Sequence, residues 1–458
     1  EFWLMPPRGT NHSEFPLGFV HGALASALLV GFASASYMAS HLGFGLPIAA
    51  MWPAIVQIHG HTQLAGWLGL FIMGVSLHVL PRLSGVPLVA PSLTHVVWIA
   101  MLASLVWRAV AQPLILIGLG GPFMVVAMLM AGLAQILAVS CYVGLMVTSL
   151  RASRIDVKSH PKIGPLRPLL LLSMISWLGF GLVMGGGTIV SGLRGSGLIA
   201  ANLHLWAADL FIAGVLIPVA FTFSIRLFPL YLQIEPLRWN PTRFALAYGL
   251  LTLIEFGFRA SVLAMPSAGL FASNLALMVA PVCGILRSGA ILLFIFFLGL
   301  HRRRTPQGKW TPEQHGAARF GNYPPLLVAA YCYLAVGALL QGISLIGHVW
   351  GADTWLQPAG ARHAFAAGFG TLLLLGVAPR MVAGFVMARG PARPRWVAPT
   401  FWLAVPAVAL ITIYLALPGA AGLPLRGFLF GIAGPMQWIA VSLLAGNLWI
   451  TILRPAKA

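Results

Sequence analysis

Residues 122–149 read PFMVVAMLMAGLAQILAVSCYVGLMVTS, a run without one charged side chain. At about 1.5 Å rise per residue, a helix over this run crosses the roughly 30 Å hydrocarbon layer of a bilayer. Helix is the conformation expected there, because it satisfies every backbone hydrogen bond within the segment where lipid offers none. Eleven further runs of spanning length flank it, giving twelve with approximate limits 16–39, 54–80, 91–112, 122–149, 166–185, 199–225, 242–263, 272–300, 323–347, 359–385, 396–416 and 428–452. Hydrophobic residues make up 59% of the 458 and charged residues 8%, too few to coat a soluble surface of this size. The connections are short and rich in Pro and Gly, as from Gly85 through Pro87 to Pro91 and from Gly390 to Pro394. The expected architecture is all-α, a single polytopic integral membrane domain over residues 1–458 with about twelve transmembrane helices.

The net charge of +19 does not point to nucleic acid, because the basic residues are scattered over short loops and not gathered in one domain. They fall on alternate sides. Arg151, Arg154, Lys158, Lys162 and Arg167 follow the fourth span, Arg226, Arg238 and Arg243 the sixth, Arg302, Arg303, Arg304, Lys309 and Arg319 the eighth, and Arg380, Arg389, Arg393 and Arg395 the tenth. The opposite loops hold Arg194, Arg362 and Arg426. The positive-inside rule then puts both termini in the cytoplasm, with even-numbered spans running inward. No small-residue cleavage site follows the first apolar run, so the first span is expected to act as the insertion signal. Cys141, Cys283 and Cys332 lie within apolar runs without CxxC spacing and read as core residues.

This topology gives the intramembrane histidines a common depth. His59 and His61 lie at the outer end of the second span, His204 at that of the sixth and His363 at that of the tenth. These spans are four apart, and similar residues follow each histidine: Gly66, Gly69, Gly74, Pro81 and Arg82; Gly214, Arg226 and Pro229; Gly368, Gly370, Gly376, Pro379 and Arg380. The pattern reads as a four-helix unit used three times, and such repeats place sites at their interfaces. An ionisable side chain is costly inside a span unless paired or ligating, and neutral imidazole is a ligand for haem iron, copper or zinc. His59 and His61 point roughly 200° apart on a regular helix and share no site unless Gly60 unwinds the turn. His78, roughly 25 Å further along, belongs near the inner surface with His21. His348, at the outer end of the ninth span before Gly351, Asp353 and Pro358, is a further candidate.

Two acids lie within spans at matched depth, Asp209 and Glu255. Glu255 and Arg259 have the spacing of a helical ion pair. Desolvation disfavours the charged form of a carboxylate without a cation, so Asp209 is expected to exchange protons and Glu255 to stay ionised as scaffold. Arg108 and Arg287 are left to pair with haem propionates, carbonyls or no identifiable group.

The segment Gln57-Ile-His-Gly-His-Thr-Gln-Leu-Ala-Gly-Trp-Leu-Gly-Leu-Phe-Ile-Met-Gly, continuing to Pro81, resembles the H-x-H segment of the NnrS family of haem- and copper-containing membrane proteins. More distantly it is similar to the second helix of haem-copper oxidase and nitric oxide reductase catalytic subunits. His363 to Arg380 and Leu216-Ile-Pro-Val-Ala-Phe-Thr222 also look like NnrS segments. Thr62 stands where those proteins usually have an acid, and their Gly-His-Thr-Gly run is absent. The seventh span lacks the histidine pair of the oxidases, and the tenth has one histidine where they have two. The standard three-histidine copper centre is therefore not assembled, which argues against oxidase-type dioxygen reduction.

The resemblance implies one or two b-type haems. His61 and His363 are the expected iron ligands, with His59 in reserve, and His204 with His59 or His348 the expected second site, for copper or another haem. It implies a bacterial inner-membrane protein tied to nitric oxide and nitrosative stress, with a gaseous ligand such as nitric oxide and cytochrome c, quinol or other membrane subunits as partners. An oxidoreductase of nitric oxide reductase type and a cofactor-free proton-coupled transporter are the alternatives.

Overall fold

The computed structural model describes residues 16–84, 87–155, 164–235, 239–264, 270–300, 302, 317–351, 356–417 and 424–454. Gly85, Lys158, Lys162, Arg238, Arg303, Arg304, Lys309 and Asp353, used above for orientation or for a loop, lie outside them. Among the described residues twelve helices are long and apolar enough to cross a membrane. They are α1 (Leu17–Gly43), α2 (Trp52–Arg82), α3 (Leu93–Leu116), α4 (Pro122–Ala152), α5 (Gly164–Leu193), α6 (Ala201–Tyr231), α7 (Pro241–Leu263), α8 (Leu277–Leu298), α9 (Pro324–Val349), α10 (Pro358–Phe385), α11 (Pro394–Ala416) and α12 (Pro424–Leu453). The chain is a polytopic all-α membrane protein. Several helices open on proline, as at Pro53, Pro168, Pro325 and Pro358. There the missing N–H would have had no intrahelical acceptor.

The sequence places the end of α5 near 185 and that of α6 near 225, whereas the helices run on to Leu193 and Tyr231. Gly185, Gly186 and Gly187 look like a stop in the sequence. In the bundle Gly185 is where α4 crosses: a Cβ on Gly132 would lie 2.5 Å from the Gly185 carbonyl. Small residues let helix backbones approach this closely, and lipid leaves an extended chain no alternative partner.

Three helices are enclosed far more than the rest. In their most apolar windows α2, α6 and α10 are 72%, 67% and 89% buried, against 28–56% for the other nine. These are the histidine-bearing spans of the fourfold spacing, and they share a distortion. Thr62–Gly69 in α2, Ile212–Leu216 in α6 and Ala364–Thr371 in α10 are π-helical. Pro81, Pro229 and Pro379 then sit within the same helices near their far ends. A fourth π segment, Ala27–Gly31, lies in α1.

The chain divides into two compact units, residues 1–34 with 48–219 and residues 35–47 with 220–458. The first holds an aromatic core in which Trp177 meets Phe211 edge-on at 5.1 Å, Phe180 meets Phe211 at 5.0 Å and Tyr142 meets Trp177 at 5.7 Å. In the second, Phe221 stacks on Phe294 at 3.6 Å and Tyr331 meets Phe369 edge-on at 5.3 Å. The Arg380 guanidinium lies 4.2 Å over the Tyr231 ring and donates to Tyr323 Oη at 2.6 Å. Gly43 and Gly431 bring the end of α1 against α12, where a Cβ on Gly43 would fall 2.5 Å from the Gly431 backbone.

Candidate functional site

In the first unit the helix of α2 stays regular through Gly60 and turns π only at Thr62. His59 and His61 therefore diverge, as their spacing predicts. His59 is half-buried, and its Nδ1 lies 2.9 Å from the Gly31 carbonyl, at the end of the α1 π segment. His61 is 2% exposed and its ring stacks over Phe180 at 6.2 Å. The Gln135 carboxamide of α4 lies against the same ring but closes no hydrogen bond of normal geometry, and His61 Nε2 is a buried nitrogen without a hydrogen-bond partner.

His204 is buried and meets this turn directly: a Cβ on Gly60 would lie 3.4 Å from its Nε2. His204 and Arg108 both lie within electrostatic reach of the His61 ring. The fold thus brings His61 and His204 together from helices four apart in order. Asp209 is half-buried one turn and more below His204.

In the second unit His363 ends a short α-helical stretch, Pro358–His363, and the π segment starts at the next residue. Its Nδ1 lies 2.9 Å from the Ala359 carbonyl. If that nitrogen carries the proton, Nε2 has the lone pair a metal needs. His348 is exposed at the end of α9. No group of three His, Cys, Asp or Glu side chains able to hold a metal ion gathers among the described residues.

Glu255 is 3% exposed and its chief partner is not the residue its spacing suggested. Arg287 Nε donates to Oε2 at 2.8 Å and Nη2 to Oε1 at 3.3 Å, while Arg259 Nη1 stands 3.7 Å from Oε1 and is 30% exposed. The expectation that Arg287 meets a propionate, a carbonyl or nothing is thereby corrected. A buried two-point contact through the guanidinium fork pairs more strongly than a longer single contact from a part-exposed arginine on the same helix.

Sequence reasoning missed the glutamines. Arg108, 1% exposed in α3, donates from Nε to Gln112 Oε1 at 2.8 Å. Gln112 Nε2 donates to Gln57 Oε1 at 2.8 Å, and Gln57 Nε2 donates to the Ile199 carbonyl at 2.7 Å. The available signal was the carboxamide itself: Gln within an apolar span finds a partner on another helix.

Within the first unit the residues present fit a haem: a buried imidazole nitrogen without a partner, at His61, lies beside an aromatic wall of Phe180, Trp177 and Phe211, a ligand and an apolar face of the kind an iron macrocycle takes. Within the second unit His363, with its Nδ1 at a carbonyl, is by itself a candidate ligand. No family model and no curated protein matches the sequence. Among solved structures, one described as a heme-copper terminal oxidase dimer superimposes with a TM-score of 0.69 at 12% identity, covering 96% of this chain and 85% of that one. At this identity the likeness concerns the fold.

Proposed function

We propose that this chain is a haem-carrying membrane protein of redox type, in which His61 and His363 each supply an iron ligand. One observation carries the reading. In both α2 and α10 a histidine closes a regular helical stretch and a π segment begins at the next residue. Single π turns inside α-helices are rare and cluster at functional sites. When bound, a b-type haem would supply one-electron chemistry and an iron able to take a small gas.

The chain's own part is positioning. Ala359 holds the His363 ring by Nδ1, and the aromatic wall around Phe180 keeps water from His61. Full-length protein purified in detergent should show a Soret band, and His61→Ala and His363→Ala should each lose at least half of the bound haem. Full haem in both variants would overturn the assignment. His204 is proposed as ligand of a second site, for copper or a further haem. Metal analysis without copper, together with an unchanged haem count in His204→Ala, would remove it.

Of the finer readings we favour an NnrS-type protein linked to nitric oxide and nitrosative stress, on the H-x-H pair and the late histidine with its spaced glycines. The fold of the oxidase neighbour favours a second reading, a redox subunit fed by quinol or cytochrome c. Nitric oxide that shifts the Soret band without donor-driven consumption supports the first. Its consumption with a quinol or cytochrome donor supports the second.

A further inference from the structure

The Arg108 guanidinium is aimed by a ladder that serves no purpose in the haem reading so far. Its Nε is engaged by Gln112, Gln112 by Gln57, and Gln57 is pinned twice to Ile199, giving to the carbonyl at 2.7 Å and accepting from the backbone N at 3.1 Å. With Nε held, the outer edge of the fork points away from the ladder. Nη1 and Nη2 are both buried there and neither has a hydrogen-bond partner. Arginine stays protonated in proteins, and Arg108 forms no ion pair among the described residues.

An uncompensated cation inside a helical bundle is costly, and a water molecule would satisfy N–H groups without cancelling the charge. Two neighbours are unsatisfied in the same place. Gln135 is fully buried with neither amide atom partnered, and it lies against His61, whose Nε2 is equally bare. Side chains from α2, α3 and α4 thus carry unmet hydrogen-bonding atoms around the His61 ring, and no acid is among the groups that act on that ring.

We propose that Arg108 binds a carboxylate or small planar oxyanion beside His61, gripped through its Nη1–Nη2 edge and steadied by the Gln135 carboxamide. The guanidinium fork matches such a group in two parallel hydrogen bonds, which a lysine cannot do. Two sources offer this chemistry: a propionate of a haem held at His61, which rests on the reading above, or a free anion of the size of formate or nitrite, which does not.

The test uses the full-length protein in lipid nanodiscs, as wild type, Arg108→Gln, Arg108→Lys and Gln135→Met. Haem per chain, midpoint potential, and thermal stability against added sodium formate or nitrite at constant ionic strength are measured. If a propionate is the ligand, Arg108→Gln loses at least twofold in haem or keeps it at a lower potential, because a positive charge has gone. Arg108→Lys and Gln135→Met then move the same way by less, and they decide the matter should Arg108→Gln fail to fold. If a free anion is the ligand, wild-type stability rises saturably with formate or nitrite, the half-saturating concentration climbs at least tenfold in Arg108→Gln, and haem content does not change. A protein without any haem would end the haem reading and leave this second arm to decide. Unchanged haem and potential in all three variants, with no saturable anion response in the wild type or an identical one in Arg108→Gln, overturns the proposal.

Discussion

Glu255 shows what a single residue owes to its surroundings. Its spacing from Arg259 is that of a helical pair, yet Arg287 holds both carboxylate oxygens and also reaches Gln341 Oε1 at 3.3 Å. Removing one partner of a buried pair strands the other and costs about 3–5 kcal/mol. Glu255→Gln is therefore expected to lower the melting temperature sharply, and Arg259→Gln, at a half-exposed site, to change it little. Equal losses in a thermal melt of the two variants would show that the pair is not the anchor. Asp209 is proposed as the exchangeable acid. Reduction of a nearby haem adds negative charge and raises the proton affinity of a carboxylate, so the wild-type potential should fall as pH rises. Asp209→Asn should flatten that slope without altering the fold, as read by redox titration across pH.

At the scale of the element, all three enclosed helices carry a π segment, a distortion that among the other described spans only α1 shares. Each adds a residue to a turn, which frees a carbonyl and rotates everything beyond it. The segment in α6 depends on close packing: a Cβ on Gly214 would run into the Ser176 side chain of α5. Gly214→Ala should destabilise by about 1–3 kcal/mol through overpacking, and the double variant with Ser176→Gly should recover most of it. A melt in which the second substitution restores nothing would place the strain elsewhere.

For the whole molecule, the charge pattern predicts which way the chain faces. With Cys141, Cys283 and Cys332 replaced, cysteine introduced at Ser196, exposed after α5, should react with an impermeant maleimide added outside intact cells. Cysteine introduced at Arg389, exposed after α10, should react only once the membrane is opened. The reverse labelling would invert the proposed topology and the depth assigned to every histidine.

The twelve spans and the fourfold spacing of the helices that carry His61, His204 and His363 were legible in the chain alone. Transfer of a segment into lipid depends on its own side chains summed over about twenty residues, a local property. What the amino-acid order left open was partnership. His204 against Gly60, Arg287 on Glu255, and the ladder from Ile199 through Gln57 and Gln112 to Arg108 join residues on different helices. Which faces meet is set by how glycines such as Gly132 and Gly185 let backbones close and by where a π turn rotates a helix. Both are outcomes of packing between segments distant in sequence, so no window along the chain contains them, and the tertiary structure alone decides which buried polar groups find one another.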